Sequence, residues 1–138
     1  MDFSSINWFA VAACVVFSMV SGSLWFGPKT FFPIWWQAIG KQASDVPNGS
    51  PVTWVLIVVS SFIQAVFMAL MVNAMGSMSG GATLASGATA GFMLWLGFVA
   101  PTSLTNKLFS AQFKAWAIEA GNHLINFVVF GAILGAWH

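Results

Sequence analysis

The sequence predicts an all-α integral membrane protein with four transmembrane helices in two hairpins and a short interfacial segment between the first two helices. Three observations carry this prediction. Of 138 residues, 59% are hydrophobic and only 5% are charged, whereas a soluble domain carries about 25% charged residues. Four stretches are apolar over about 20 residues, the length that an α-helix needs to cross a bilayer. Lysines and most tryptophans lie near the ends of these stretches or between them.

The four predicted spans form one transmembrane domain over residues 1–138 and cover residues 7–26, 52–75, 82–104 and 117–137. The first is preceded by "MDFSSI", which lacks the basic residues of a secretory signal, so we expect a retained helix. The third is rich in Gly, Ala, Ser and Thr, which predicts limited exposure to lipid. Its Trp95 lies mid-span and is expected to point into the protein.

The loop after the first span contains "KTFFPIWWQAIGK", an aromatic stretch bounded by lysines. A short helix lying in the headgroup region fits this composition. A plain linker anchored by its tryptophans is the alternative.

The lysines predict the orientation of the chain. Lys29 and Lys41 lie between the first and second spans, and Lys107 and Lys114 lie between the third and fourth. Because positively charged loops favour the cytoplasmic side, both lysine-bearing loops are predicted to be cytoplasmic and both termini outside.

Small residues predict where helices approach each other. In the first span, Asn7, Cys14, Ser18, Ser21 and Trp25 share a face with Ala10, at steps of three and four residues. We expect this face to pack against another helix, with a water-filled path as the alternative. Glycines at GxxxG spacing in the third and fourth spans, and one glycine beside the first stripe, predict close packing: Gly22, Gly87, Gly91, Gly131 and Gly135.

The fourth span has two faces that do not suit lipid. At about 100° per residue, Glu119, Asn122, His123 and Asn126 fall on one side of the helix. Gly121, Gly131 and Gly135 fall on roughly the opposite side. The helix is therefore predicted to pack on both sides, either centrally in the bundle or between the bundle and a second subunit.

The polar face of the fourth span is the candidate site. Glu119 and His123 are one turn apart, so a hydrogen bond between them is allowed, and such a pair can relay protons or supply two metal ligands. Alternatively, Glu119 lies at the interface, while Asn122 and Asn126 join helices by hydrogen bonds. Since the second histidine, His138, lies at the far end of the same helix, no metal site and no cofactor are expected.

Other functions find little support. Asp2 and Asp45 lie outside the spans, so no Ser–His–Asp set forms, and the sequence has no phosphate-binding loop. A net charge of +1 is too small for nucleic-acid binding. Pro101 removes a backbone hydrogen bond and is expected to kink or end the third span, with a gating hinge as the alternative.

Two stretches resemble a family of small bacterial membrane proteins known as domain of unknown function 1761. "GSLWFGPKTFFPIWW" is similar to its first-span signature, with Phe26 where a tyrosine is often expected. "LWLGFVAPTSLTNKLFSAQFKAWAIEAGNHLINFVVFGAILGAWH" is similar to its C-terminal half. The matching signature positions are Gly22, Trp25, Gly27, Pro28, Trp36, Trp95 and Pro101. The resemblance implies a four-helix domain in a bacterial membrane and brings no activity, substrate or catalytic residue with it.

These observations favour a non-catalytic, oligomeric binding or structural protein of the bacterial cytoplasmic membrane, with membrane lipids as partners. A homo-oligomer is expected because the glycine pairs and the two-faced fourth helix need partners, and a dimer is favoured. The first alternative is permeation or transport of a small solute, ion or proton along the polar face of the fourth helix. The second is a membrane enzyme acting on a lipid-like substrate.

Overall fold

A computed structural model describes residues 2–138. Over these residues the regular secondary structure is entirely helical, which confirms the predicted fold class. A single 3₁₀ turn, Phe3–Ser5, precedes the helices, and a π-helical segment, Trp95–Val99, joins two of them. The α-helices are α1 (Trp8–Trp25), α2 (Phe32–Ala38), α3 (Pro51–Ser77), α4 (Leu84–Leu94), α5 (Ala100–Phe109) and α6 (Phe113–Ala136).

Four helical units are long and apolar enough to cross a membrane. They are α1, α3, the continuous unit Leu84–Phe109 and α6. The two units of the C-terminal half extend beyond the predicted spans of 82–104 and 117–137, because Leu84–Phe109 ends five residues later and α6 begins four residues earlier, at Phe113. The loop segment between α1 and α3 does contain a short helix, α2, whose second residue is Pro33.

Local sequence signals start the helices. The side chain of Asn7 accepts hydrogen bonds from the backbone N–H groups of Phe9 and Ala10 at 3.1 and 3.3 Å, which caps α1. Thr83 and Ser86 exchange side-chain and backbone hydrogen bonds at the start of α4, at 2.9 and 3.1 Å. These caps satisfy backbone donors that have no partner within the helix.

Pro101 neither ends the third helical unit nor interrupts it, contrary to one half of the expectation. The π segment immediately before it places Pro101 in the first turn of α5, where its missing N–H is tolerated. The Ser103 hydroxyl donates to the Val99 carbonyl at 2.9 Å and so satisfies a backbone acceptor near the proline. The helix therefore continues to Phe109.

Helix α6 lies at the centre of the fold. It packs most extensively against α4 and also contacts α1, α3 and α5. Its Phe130 is fully buried, together with Val11 and Cys14 of α1 and Val72 of α3. The prediction that α6 packs on both sides is met by helices of the same chain.

The glycine face of α6 meets α4 backbone to backbone. A methyl group on Gly87 would overlap the carbonyl oxygen of Gly131, and one on Gly131 would overlap that of Gly87. Gly91 faces the backbone of Phe127 in the same way, and Gly135 faces that of Thr83. These four glycines therefore pair within the chain, which removes the argument that they need a second subunit.

Gly22 does not fit the packing prediction. A methyl group there would have nothing within 4 Å, so the residue lies beside the contact face of α1. The stripe itself does pack, since Ala10, Cys14 and Ser18 are buried.

The two ends of the bundle differ. At one end the start of α1 meets the last residues of the chain, since Asn7 Nδ2 donates to the Trp137 carbonyl at 3.4 Å. These last residues meet the α3–α4 turn, since His138 Nε2 lies 2.8 Å from the Ala82 carbonyl. At the other end α2 lies near the start of α6, where Gln112 Nε2 donates to the Ile39 carbonyl at 3.3 Å. We call this second end the lysine end, since it carries the lysine-bearing loops.

Candidate functional site

The polar face of α6 runs inward from the lysine end. Asn122 and Asn126 are buried, with 7% and 8% exposure, while Glu119 and His123 are half-buried. All four side chains share one face of a single helix, as the sequence predicts. These side chains have different partners, however, and only some of them contact other helices.

Asn126 links α6 to α1. Ser21 Oγ donates to Asn126 Oδ1 at 2.6 Å, and Asn126 Nδ2 donates to Asn122 Oδ1 at 3.4 Å. One turn earlier on α1, Ser18 is hydrogen-bonded to Ser61 of α3. Two hydroxyls of the α1 stripe therefore connect it to two neighbouring helices, and the Asn126 amide is engaged in protein contacts.

Glu119 pairs with a lysine rather than with His123. Its Oε2 lies 3.2 Å from Lys107 Nζ of α5, and the two side chains are 28% and 25% exposed. Lys107 Nζ also donates to Gln112 Oε1 at 3.5 Å. Within residues 2–138, no hydrogen bond joins Glu119 to His123, so the structure does not assemble the predicted relay pair.

Sequence reasoning missed Lys107 as the partner of Glu119. The sequence does contain a signal for this pair. Lys107 precedes the fourth span and Glu119 lies near its start, so both side chains are expected at the same depth in the membrane. A helical wheel compares residues within one helix, whereas Lys107 and Glu119 lie on two different helices.

Three tryptophans fix the start of α6 through their indole N–H groups. Trp25 Nε1 donates to the Ile118 carbonyl at 2.8 Å, and its ring lies against Gly121. Trp95 Nε1 donates to the Ala120 carbonyl at 3.0 Å, which shows that Trp95 points into the protein as expected. Trp116 of α6 itself donates to the Ala100 carbonyl at 3.1 Å. The backbone around Glu119 is thus held from α1 and from the third helical unit.

Other signature residues shape the turn after α1. Gly27 N–H donates to Thr30 Oγ1 at 3.0 Å, and this hydroxyl donates to the Trp25 carbonyl at 2.9 Å. Pro28 lies exposed in the same turn. Trp36 is buried in α2, where its Nε1 donates to the Gln42 carbonyl at 2.9 Å. These residues close α1 and position α2, which is a structural role.

One buried donor of the polar face is unused. In the part of the chain that the structure describes, Asn122 Nδ2 has no hydrogen-bond partner, although Asn122 Oδ1 accepts from Asn126. Among the same residues, no three His, Cys, Asp or Glu side chains come together as a metal site would require. The polar face thus offers a donor but not a ligand cluster.

Two grooves lie elsewhere in the fold. One, of about 520 Å³, is apolar and lies between α1 and α3, lined by residues such as Trp8, Val15 and Phe62. The other, of about 510 Å³, lies between the end of α3 and the start of α4, lined by residues such as Met75, Thr83 and Ser86. Neither is lined by Glu119 or His123, so these grooves are separate from the polar face.

An all-helical chain with four apolar helices, a central polar-faced helix and tryptophans at its ends has the features of a multi-pass helical membrane protein. The chain belongs to the family described as "Protein of unknown function (DUF1761)", whose model matches residues 9–135. A search of curated proteins and a search of solved structures each found no match.

Proposed function

We propose that this chain is a non-catalytic binding or structural protein of the membrane in which the polar face of α6 holds the helices together. The Ser21–Asn126 hydrogen bond, at 2.6 Å, is the observation that carries the proposal. It consumes a buried amide of the polar face in a contact between α1 and α6. A side chain used in this way is not available to a passing solute.

The energetics of helices in lipid support this role. Lipid tails are as apolar as leucine, so helix association in a bilayer depends on close packing and interhelical hydrogen bonds. The protein provides both on opposite sides of α6, with glycine contacts towards α4 and amide–hydroxyl contacts towards α1. The Lys107–Glu119 pair extends the contact to α5.

Permeation of a proton or small solute is the second candidate. The unpartnered Nδ2 of Asn122 favours it, because buried donors normally have a partner and this one would bind water or a solute. Glu119, Asn122 and His123 would then line the entrance from the lysine end. A lipid-modifying enzyme has no such support, since the apolar groove between α1 and α3 lies apart from Glu119 and His123.

We propose that the chain resides in a bacterial cytoplasmic membrane with the lysine end in the cytoplasm and both termini outside. A homodimer remains part of the proposal. The first half of α3 supplies its surface, because residues 54–60 are all exposed in the single chain. Light scattering of the purified protein measures the number of chains in the particle, and a monomer would contradict the proposed homodimer.

Proton flux into proteoliposomes, followed with an entrapped pH-sensitive dye, tests the choice between the two candidates. We expect the wild-type protein to give the same flux as protein-free liposomes, and Glu119→Gln and His123→Ala to change nothing. His138→Ala is the matched control, because His138 is exposed at the other end of the bundle. Wild-type flux that is lost in folded Glu119→Gln or His123→Ala, but kept in the control, would establish permeation instead.

A further inference from the structure

The fold gathers the basic residues of the chain, which are scattered in the sequence. Trp25, four residues before Lys29, bonds to the Ile118 carbonyl of α6. Gln112, two residues before Lys114, bonds to the Ile39 carbonyl, two residues before Lys41. These contacts bring the α1–α3 loop and the α5–α6 turn to the same end of the bundle.

Three of these lysines are not neutralised. Lys107 is paired with Glu119, but in residues 2–138 no carboxylate lies within ion-pair distance of Lys29, Lys41 or Lys114, which are all exposed. The second acid of this end, Asp45, accepts a hydrogen bond from the Gln42 backbone N–H at 2.8 Å. Four lysines against two carboxylates leave this end with a formal charge of +2.

Apolar and aromatic groups lie directly beside this charge. Lys41 Nζ lies 5.8 Å from the centre of the Trp36 ring, a cation–π distance that holds the ammonium group at the indole. In the same loop segment, Phe31, two residues after Lys29, and Ile34, two residues before Trp36, expose 36% and 41% of their surface.

We infer that the exposed lysines Lys29, Lys41 and Lys114, with the exposed apolar side chains of Phe31 and Ile34, form a binding surface for the headgroups of anionic phospholipids. The ammonium groups meet the lipid phosphate, and Phe31 and Ile34 meet the glycerol region and the start of the acyl chains. A free phosphate ion would use the lysines but not the apolar groups, so this combination favours a lipid. The inference is independent of whether α6 conducts a solute.

Native mass spectrometry of the detergent-solubilised protein, with equal amounts of phosphatidylglycerol and phosphatidylcholine, tests the surface. We expect the wild-type protein to retain phosphatidylglycerol preferentially. Each Lys→Gln change at positions 29, 41 and 114 should lower this preference by up to about fivefold. The triple variant K29R/K41R/K114R keeps the charge and should keep the preference.

Three outcomes would overturn the inference. Equal retention of the two lipids by the wild-type protein would remove the preference itself. An unchanged preference in the folded glutamine variants, or its loss in the arginine variant, would show that the charge of these lysines does not create it. If inorganic phosphate raises the melting temperature as much as phosphatidylglycerol does, the surface is a phosphate site. If a glutamine variant fails to fold, a salt titration of the wild-type protein replaces it. The preference for phosphatidylglycerol must then fall as added salt screens the lysine charges, and an unchanged preference would overturn the inference.

Discussion

Individual side chains of α6 show how position in the fold divides a polar face into different roles. Asn126 is buried and bonded to Ser21, whereas Glu119, seven residues earlier, lies half-buried beside Lys107. Asn122 uses its carbonyl oxygen for Asn126 and leaves its amide nitrogen without a partner. The helical wheel places these residues together, but their partners depend on which helix lies opposite each one.

A double-mutant cycle with Ser21→Ala and Asn126→Leu measures the contact between α1 and α6. We expect a coupling of about 0.6–1.7 kcal/mol in the free energy of unfolding, the range for interhelical hydrogen bonds in membranes. Ser23→Ala is the matched control on α1, because among residues 2–138 Ser23 Oγ bonds only to the Met19 carbonyl of its own helix. A coupling near zero for Ser21 and Asn126, or equal coupling for Ser23, would show that Asn126 does not hold α1.

At the level of elements, the contact between α4 and α6 is the most extensive in the part of the chain that the structure describes. Its glycines have no side chains, so the two backbones touch directly. The π segment follows immediately after α4 and leads into α5, whose second residue is Pro101. Indole N–H groups of Trp25 and Trp95 then bind the start of α6, so α6 is fixed by glycine contacts along one part and by tryptophans near its beginning.

Alanine substitutions distinguish a glycine within the contact between α4 and α6 from a glycine outside any helix contact. Gly87→Ala and Gly131→Ala each force backbones apart, and we expect a loss of about 1–3 kcal/mol in the free energy of unfolding. Gly22→Ala places a methyl group in open space, so it should be neutral or stabilise by up to about 1 kcal/mol through helix propensity. Reversible unfolding in mixed micelles measures all three, and equal effects would contradict the predicted contact between α4 and α6.

For the whole molecule, the two ends of the bundle differ in their charge and in the segments of the chain that form them. The start of α1 meets the last residues of the chain through Asn7, and His138 meets the α3–α4 turn at the same end, whereas all four lysines lie at the other end. Because this separation is complete, the proposed orientation in the membrane depends only on the preference of positively charged loops for the cytoplasmic side. The lysine end would then face the cytoplasm.

Fusions to the C-terminus test this orientation. We expect alkaline phosphatase fused after His138 to be active and green fluorescent protein at the same position to be dark, since both report an external terminus. An insertion of each reporter in the exposed loop near Asn48 should give the opposite pair of results. A fluorescent C-terminal fusion with inactive phosphatase would invert the proposed orientation.

The sequence predicts some features of the candidate site and misses others for a physical reason. Periodicity along one helix identifies the polar face of α6 and the α1 stripe, because residues on a helix have fixed relative angles. Lys107 as the partner of Glu119 and the indole donors of Trp25 and Trp95 involve residues on different elements. The prediction that Gly22 packs against another helix is wrong, because a small residue beside the α1 stripe gives the same sequence pattern as one within it.

The sequence by itself determined the class and the outline of this protein: four apolar helices, a two-sided last helix, and lysines confined to two loops. These follow from hydropathy, length and helical period, which are local properties of the chain. Only the tertiary structure decided that the glycines of α4 and α6 face each other within one chain, that Asn126 bonds to Ser21, and that Glu119 pairs with Lys107. Such pairings depend on which helices become neighbours, and contacts between residues far apart in the sequence, such as Ser21 and Asn126, leave no local pattern.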